Sequence, residues 1–199
     1  IEAGVSALGK TPETVTVEDL GPVDEFHIGG RAATIALCNR LQIGPDDELV
    51  DVGCGIGGTA RLLASTVGCR VTGIDLVPGY IDVARVLTEW TGLSDRISYE
   101  VGSGVDLPLG EASFDAATQL HVGMNIEDKE QLFSEIRRVL RPGGTLGIYD
   151  IMHTAQGDLS FPMPWASDAS TSFVADITTY EEALTTAGLE ILEVNNRRE

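Results

Sequence analysis

Residues 48–58 read ELVDVGCGIGG, and most of the fold follows from what this stretch asks of its neighbours. A short apolar run, Leu49, Val50 and Val52, enters a turn crowded with glycine. A turn this tight needs backbone angles with positive φ, which glycine adopts freely. Without Cβ atoms, the backbone N–H groups at the start of the next helix also stay open to a ligand. Residues 59–67 (TARLLASTV) supply that helix, with apolar side chains at helical spacing. Gly53, Gly55 and Gly58 fit G-x-G-x-x-G, a weak signal alone. Two carboxylates strengthen it. Asp51 precedes the first glycine by one turn of the side-chain alternation. Asp75 closes the next apolar run at about the 20-residue distance where an acidic side chain takes ribose hydroxyls.

Outward from this stretch, strands alternate with helices. Strands are expected at 49–53, 70–75, 97–102, 114–120, 145–151 and 189–194, and helices at 32–41, 59–67, 80–91, 128–140 and 179–187. Arg141-Pro142-Gly143-Gly144 is expected to end the helix before the fifth strand. Such alternation implies right-handed crossovers and a mainly parallel central sheet flanked by helices, a Rossmann-like α/β fold. Residues 1–23 have no clear period and are expected as a flexible N-terminal arm or lid ahead of one domain, 24–199. Residues 153–178 form a long irregular stretch, a length that is usually functional or disordered. Ligands bind beyond the carboxyl ends of parallel strands. Asp75, Ser103, Gln119, His121 and Asp150 all fall at or just past such ends.

The chain of 199 residues carries 31 acidic against 13 basic side chains, a net charge of −18. So negative a surface repels phosphate backbones and anionic membranes, and disfavours nucleic acid as a partner. It suits solubility, or a cationic amine substrate. No apolar run approaches the roughly 18 residues of a membrane span. Cys38, Cys54 and Cys69 show neither C-x-x-C nor metal-ligand spacing, which fits reduced thiols in a cytoplasmic protein. The chain starts at Ile1 rather than Met and stops soon after the last expected strand, so continuation past Glu199 is expected.

The stretch around residue 51 resembles the first motif of class I S-adenosylmethionine-dependent methyltransferases, an acidic residue, any residue, then Gly-x-Gly-x-Gly. Leu107-Pro108 followed by Ser113-Phe114-Asp115 resembles the segment leading into that superfamily's fourth strand. Residues 137–144 (RRVLRPGG) resemble its turn before strand five, and the resemblance covers roughly residues 24–195. Residues 29–34 (GGRAAT) and 118–126 (TQLHVGMNI) are similar to the small-molecule type 11 branch, near the sarcosine/dimethylglycine and phosphoethanolamine N-methyltransferases. The resemblance implies S-adenosylmethionine as cofactor. Gly53 and Gly55 would hold its methionine portion, Asp75 its ribose and Leu76 its adenine. Asp51 would bond either the glycine-turn backbone or the cofactor's amino group. Gly102-Ser103-Gly104 departs from the family's Gly-Asp-Ala, so the Ser103 hydroxyl would replace a carboxylate at the adenine amino group. Gln119 would line the cofactor or substrate side of strand four.

Methyl transfer from a sulfonium is an in-line displacement in which positioning and exclusion of water supply most of the acceleration. A base is needed only where the acceptor must lose a proton. His121, just past the fourth strand, is the candidate to orient or deprotonate the acceptor. His27, with Phe26 before it, is a candidate lid contact to substrate; Trp165, in the long stretch, could hold a cationic amine on its π face. Glu127-Asp128 reads as a helix start rather than a carboxylate pair for a metal, and no other cluster suggests one. The expected activity is methylation of a small molecule, first an amine nitrogen. The alternatives are C-methylation of a quinone-like ring, a non-catalytic S-adenosylmethionine-binding protein, and an NAD-dependent oxidoreductase.

Overall fold

Leu49, Val50 and Val52 are at most 1% exposed, which places β1 (Glu48–Val52) where a strand is covered on both faces, at the centre of a sheet. A computed structural model describes residues 2–25, 27–154, 157 and 159–197. Its strands are β1, β2 (Arg70–Asp75), β3 (Ile97–Val101), β4 (Phe114–Leu120) and β5 (Leu140–Tyr149), in the order β3-β2-β1-β4-β5. Every pairing is parallel, as the alternating sequence pattern requires. The chain leaves β1 towards β2 on one side and returns as β4 on the other. Diverging connections there open a crevice at the carboxyl ends of β1 and β4.

The helices are α1 (Glu2–Ala7), α2 (Val17–Asp24), α3 (Gly30–Leu41), α4 (Gly58–Thr66), α5 (Pro78–Trp90), α6 (Lys129–Val139) and α7 (Ile177–Thr186). On one face of the sheet, Cys38 of α3, Leu63 of α4 and Ile81 of α5 pack with Leu49, Val71 and Ile97. On the other, Leu132, Phe133 and Ile136 of α6 and Tyr180 of α7 pack with Val50, Val52 and Ala117. Leu49 and Val50 thus enter opposite layers, as period-two alternation demands. Each fully buried aliphatic side chain contributes about 1.5–3 kcal/mol. Among the described residues, no helix is long and apolar enough to cross a membrane.

Several expectations change. The segment 1–23 holds two helices, and the second is fixed by a capping box between Thr16 and Asp19. Val5, Val15 and Leu20 pack on Leu87 of α5. The helices are short, and Pro22 lies within the second, so no period shows in the sequence. The expected sixth strand, 189–194, has no regular structure. Ile191 is 37% and Leu192 79% exposed, so this segment lies outside the packed layers that cover β1 on both faces. Arg141-Pro142-Gly143-Gly144 is not a separate turn after the helix. α6 ends at Val139, Leu140 already pairs with Phe114, and these residues form an irregularity within β5 before Thr145 meets Ala116.

Candidate active site

At the end of β1 the chain turns upward through Gly53 (φ 74°) and Gly55 (φ 54°). A Cβ on Gly53 would lie 2.2 Å from a Val122 methyl, so only glycine fits beside the segment after β4. A Cβ on Gly55 would meet nothing within 4 Å, so this part of the turn faces open space. Asp75, ending β2, accepts the Gly55 N–H at 2.8 Å through one carboxylate oxygen and the Val77 N–H at 2.9 Å through the other. It therefore fixes the turn and still has lone pairs for a hydroxyl ligand. Beyond it Leu76 is 69% and Tyr80 51% exposed, an apolar wall of the kind a planar base needs. The sequence reading named Leu76 and missed Tyr80.

Asp51 does not bond the glycine-turn backbone, one of the two roles the resemblance allowed. Its Oδ1 accepts the Thr118 hydroxyl at 2.7 Å, while its buried Oδ2 has no partner among the described residues. The turn's own N–H groups go elsewhere: those of Gly53 and Cys54 bond the Ile74 carbonyl. Burial, with help from the Glu25 and Asp75 charges and against the Thr118 bond, pushes the Asp51 carboxyl up to about 7. A buried oxygen left unpaired beside a glycine turn fits an ammonium ligand. The Ser103 hydroxyl accepts the Val105 N–H at 3.3 Å, so one of its acceptor positions is taken within its own turn, and Gly104 packs against Leu132. Asp106 is exposed.

His121 leaves β4 with φ 54°, a left-handed conformation uncommon outside glycine and a pointer to a functional constraint. Its N–H bonds the Tyr149 carbonyl at 2.7 Å, and its ring stacks on that of His27 with centroids 5.2 Å apart. Tyr149 packs edge-on against the His121 ring at 5.1 Å. His27 Nε2 lies 3.0 Å from both the Glu25 carboxylate and the Thr34 hydroxyl, and its Nδ1 lies 3.1 Å from the Ile28 carbonyl. Gly29 lets this segment approach β5: a Cβ there would come within 2.9 Å of the Tyr149 hydroxyl. Thus His27 and His121, far apart in sequence, come together, and Glu25, Thr34 and Tyr149 join them unforeseen. Phe26 lies outside the described residues.

Gln119 does not line the cleft. It is 0% exposed, and its Nε2 donates at 2.9 Å to Asp150, which also accepts the Tyr180 hydroxyl at 2.8 Å. Burial raises the Asp150 carboxyl above its usual range, against these bonds. Burial, then the Asp150 charge, drives the Tyr180 hydroxyl upward too. Lys129 stands 5.4 Å from the Tyr180 ring centre and donates to the Ile126 and Phe173 carbonyls. The Trp165 N–H bonds the Ser172 hydroxyl, and Asn125 holds the Trp165 and Thr171 carbonyls, so the long segment is anchored on the turn after β4. His153 bonds the Ala175 carbonyl through its backbone and braces the same segment. Opposite, Arg61 of α4 is fully buried and paired with Asp24, and also donates to the Ile56 carbonyl, which ties α2 to the glycine turn.

Comparison with known proteins bears on the family and the fold. Residues 50–148 match a family described as a methyltransferase domain. The chain is 30% identical to the methyltransferase GfsG of Streptomyces halstedii over 181 residues, 89% of this chain and 65% of that protein. It is 33% identical to the ajmaline N-methyltransferase of Rauvolfia serpentina, covering 63% of this chain and 47% of that protein. It therefore spans less than two thirds of these curated relatives. Among solved structures it is similar to the [4+2]-cyclase SpnF, with a TM-score of 0.72 and 28% identity over 81% of this chain and 57% of that one. It is also similar to a phosphoethanolamine N-methyltransferase of Haemonchus contortus in complex with S-adenosyl-L-methionine, with a TM-score of 0.66 and 27% identity over 80% and 37% of the two chains. These matches leave no support for the oxidoreductase alternative.

Proposed function

Taking as premise that the chain belongs to the class I S-adenosylmethionine-dependent methyltransferases, we propose that it acts on a small molecule and methylates an amine nitrogen. Bound S-adenosylmethionine supplies an electrophilic methyl group on a sulfur that already leaves well. The chain's own residues do the rest. The open backbone at Gly55 and the Asp75 carboxylate would hold the cofactor, and the unpaired Oδ2 of Asp51 would meet its amino group. Leu76 and Tyr80 would cover its base, with Ser103 at the base's edge. α1 and α2, pinned by the Asp24–Arg61 pair, would act as the cover that excludes water.

The observation that carries the reading is the His121 ring at the end of β4, whose buried Nε2 has no partner among the described residues. A neutral imidazole there can accept the hydrogen of an N–H acceptor and take its proton as the nitrogen attacks. The net charge of −18 favours approach of a cationic amine over an anion. Trp165 would face the amine from the anchored loop. A ring hydroxyl could yield its proton to the same histidine, which keeps C-methylation of a quinone-like ring as the second acceptor chemistry. The likeness to a protein described as a [4+2]-cyclase supports a further reading, cofactor binding without methyl transfer. The test is release of S-adenosylhomocysteine across a panel of amines, phenols and quinols. Turnover on amines supports the proposal, and turnover on quinols alone replaces it. Binding of the cofactor without any turnover selects the non-methylating reading.

A further inference from the structure

The His27 ring has an acceptor at each nitrogen. Nδ1 faces a backbone carbonyl at 3.1 Å, and Nε2 faces the Glu25 carboxylate at 3.0 Å. Neither partner has a proton to give, and the third neighbour of Nε2, the Thr34 hydroxyl at 3.0 Å, spends its proton on Glu25, so the arrangement favours the imidazolium form. Thr34 completes the arrangement: its hydroxyl donates to Glu25 at 2.7 Å and so holds the carboxylate in line with the ring. Glu25 and Thr34 are buried, at 8% and 0% exposure. The His121 ring lies parallel to this cation within 25°. A second charge at that separation, shielded from water, is unfavourable.

We infer that Glu25, Thr34 and His27 form a positioning unit that keeps His121 a neutral proton acceptor, and that the methyl acceptor is a molecule which must give up an N–H or O–H proton. The choice of acceptor rests on the function proposed above; the histidine pair stands on its own geometry. In the reaction the acceptor's lone pair forms the new bond to the methyl carbon. The carbon–sulfur bond breaks with its electrons going to sulfur, and the acceptor's proton passes to His121.

Other groups act around the pair. From the segment before α3 comes Glu25, from α3 Arg31, from β1 the buried Asp51 and from β5 Tyr149. The Glu25 bond raises the His27 ring above its ordinary value, against burial. Burial, then the His27 charge, pushes His121 down to about 4. Burial pushes Glu25 up, but the His27 and Thr34 bonds outweigh it and hold the carboxyl below its usual value.

The chain contains His27, His121 and His153 and no other histidine, so each ring can be followed separately by nitrogen-15 NMR against pH, with His153→Gln to complete the assignment. In the wild type His121 should stay neutral to about pH 4 while His27 titrates above an ordinary histidine. Glu25→Gln should lower the His27 midpoint by about one pH unit; His27 is still charged where His121 titrates, so the His121 midpoint should not rise. His27→Gln, which keeps a side-chain bond to Glu25 but removes the cation, should raise the His121 midpoint by about one pH unit. Thr34→Ser should titrate as wild type. A wild-type His121 midpoint near that of a free histidine, or one unmoved in His27→Gln, overturns the inference. Amine turnover with an unmoved His121 would sink the pair and leave the proposed function standing. Titrations as expected with no amine or phenol methylated would do the reverse.

Discussion

The two sides of the cleft are built from different material. At β1 and β2 the site is mostly backbone: a glycine turn, one carboxylate to fix it, and exposed apolar side chains beyond. At β4 and β5 it is mostly side chain: the His27–His121 stack with Tyr149 in front, and the Gln119–Asp150–Tyr180 cluster behind. The first kind of site offers one fixed shape and suits a ligand common to a family. The second depends on individual residues whose protonation and contacts change with single substitutions, and suits a ligand particular to one protein.

The largest effect should separate the two sides by function. His121→Gln should lower the methyl-transfer rate by about 10²–10⁴-fold, the range of a lost general base, and leave cofactor affinity as it was. A parallel loss of cofactor binding, read by calorimetry, would mean the division is false. Gly53→Ala should do the opposite. The added Cβ overlaps Val122 and sits at positive φ, so the cofactor dissociation constant should rise at least tenfold, with a stability loss of about 1–3 kcal/mol by denaturant titration.

Asp150→Ala leaves the Gln119 amide and the Tyr180 hydroxyl buried without an acceptor, which costs about 2–3 kcal/mol of stability. Cofactor affinity should change far less than in Gly53→Ala, because the cluster lies under the acceptor side alone. A further effect concerns pH. The Asp51 carboxyl titrates at about 7 in the folded protein and at about 4 in an unfolded chain. A raised carboxyl destabilises the fold increasingly as pH climbs between those values. Asp51→Asn should therefore raise the cofactor-free melting temperature at pH 8, with no gain at pH 3.5. The same variant should weaken the cofactor about tenfold, for loss of an ionic partner to its amino group. A melting temperature unchanged at both pH values would show that the Asp51 carboxyl titrates in the folded protein as it does in an unfolded chain.

This division also explains what the sequence disclosed. Gly53, Gly55, Asp51 and Asp75 fall within one strand–turn–helix–strand unit, whose geometry is dictated locally by glycine, chain reversal and hydrophobic period. The parallel sheet was legible for the same reason, since each strand and helix carries its own pattern. The acceptor side joins residues 25, 27 and 34 to 121 and 149, and 119 to 150 and 180, and no local period marks such pairings. Gln119 looked like a lining residue because it ends a strand, but its side chain enters the α6–α7 layer and finds Asp150. The helices before residue 24 escaped notice because each is too short to show a stripe and is held by Leu87 and Arg61 rather than by its own propensity. Residues 189–194 carry the apolar run of a strand, yet Ile191, Leu192 and Val194 are left exposed and pair with no neighbouring strand among the described residues.

The most direct test of the account is calorimetric titration of the chain with S-adenosylmethionine, S-adenosylhomocysteine and NAD, with Asp75→Ala alongside. The account predicts binding of both adenosyl compounds, abolished or strongly weakened in the variant, and no binding of NAD. Binding of NAD alone, or adenosyl binding indifferent to Asp75, would contradict it.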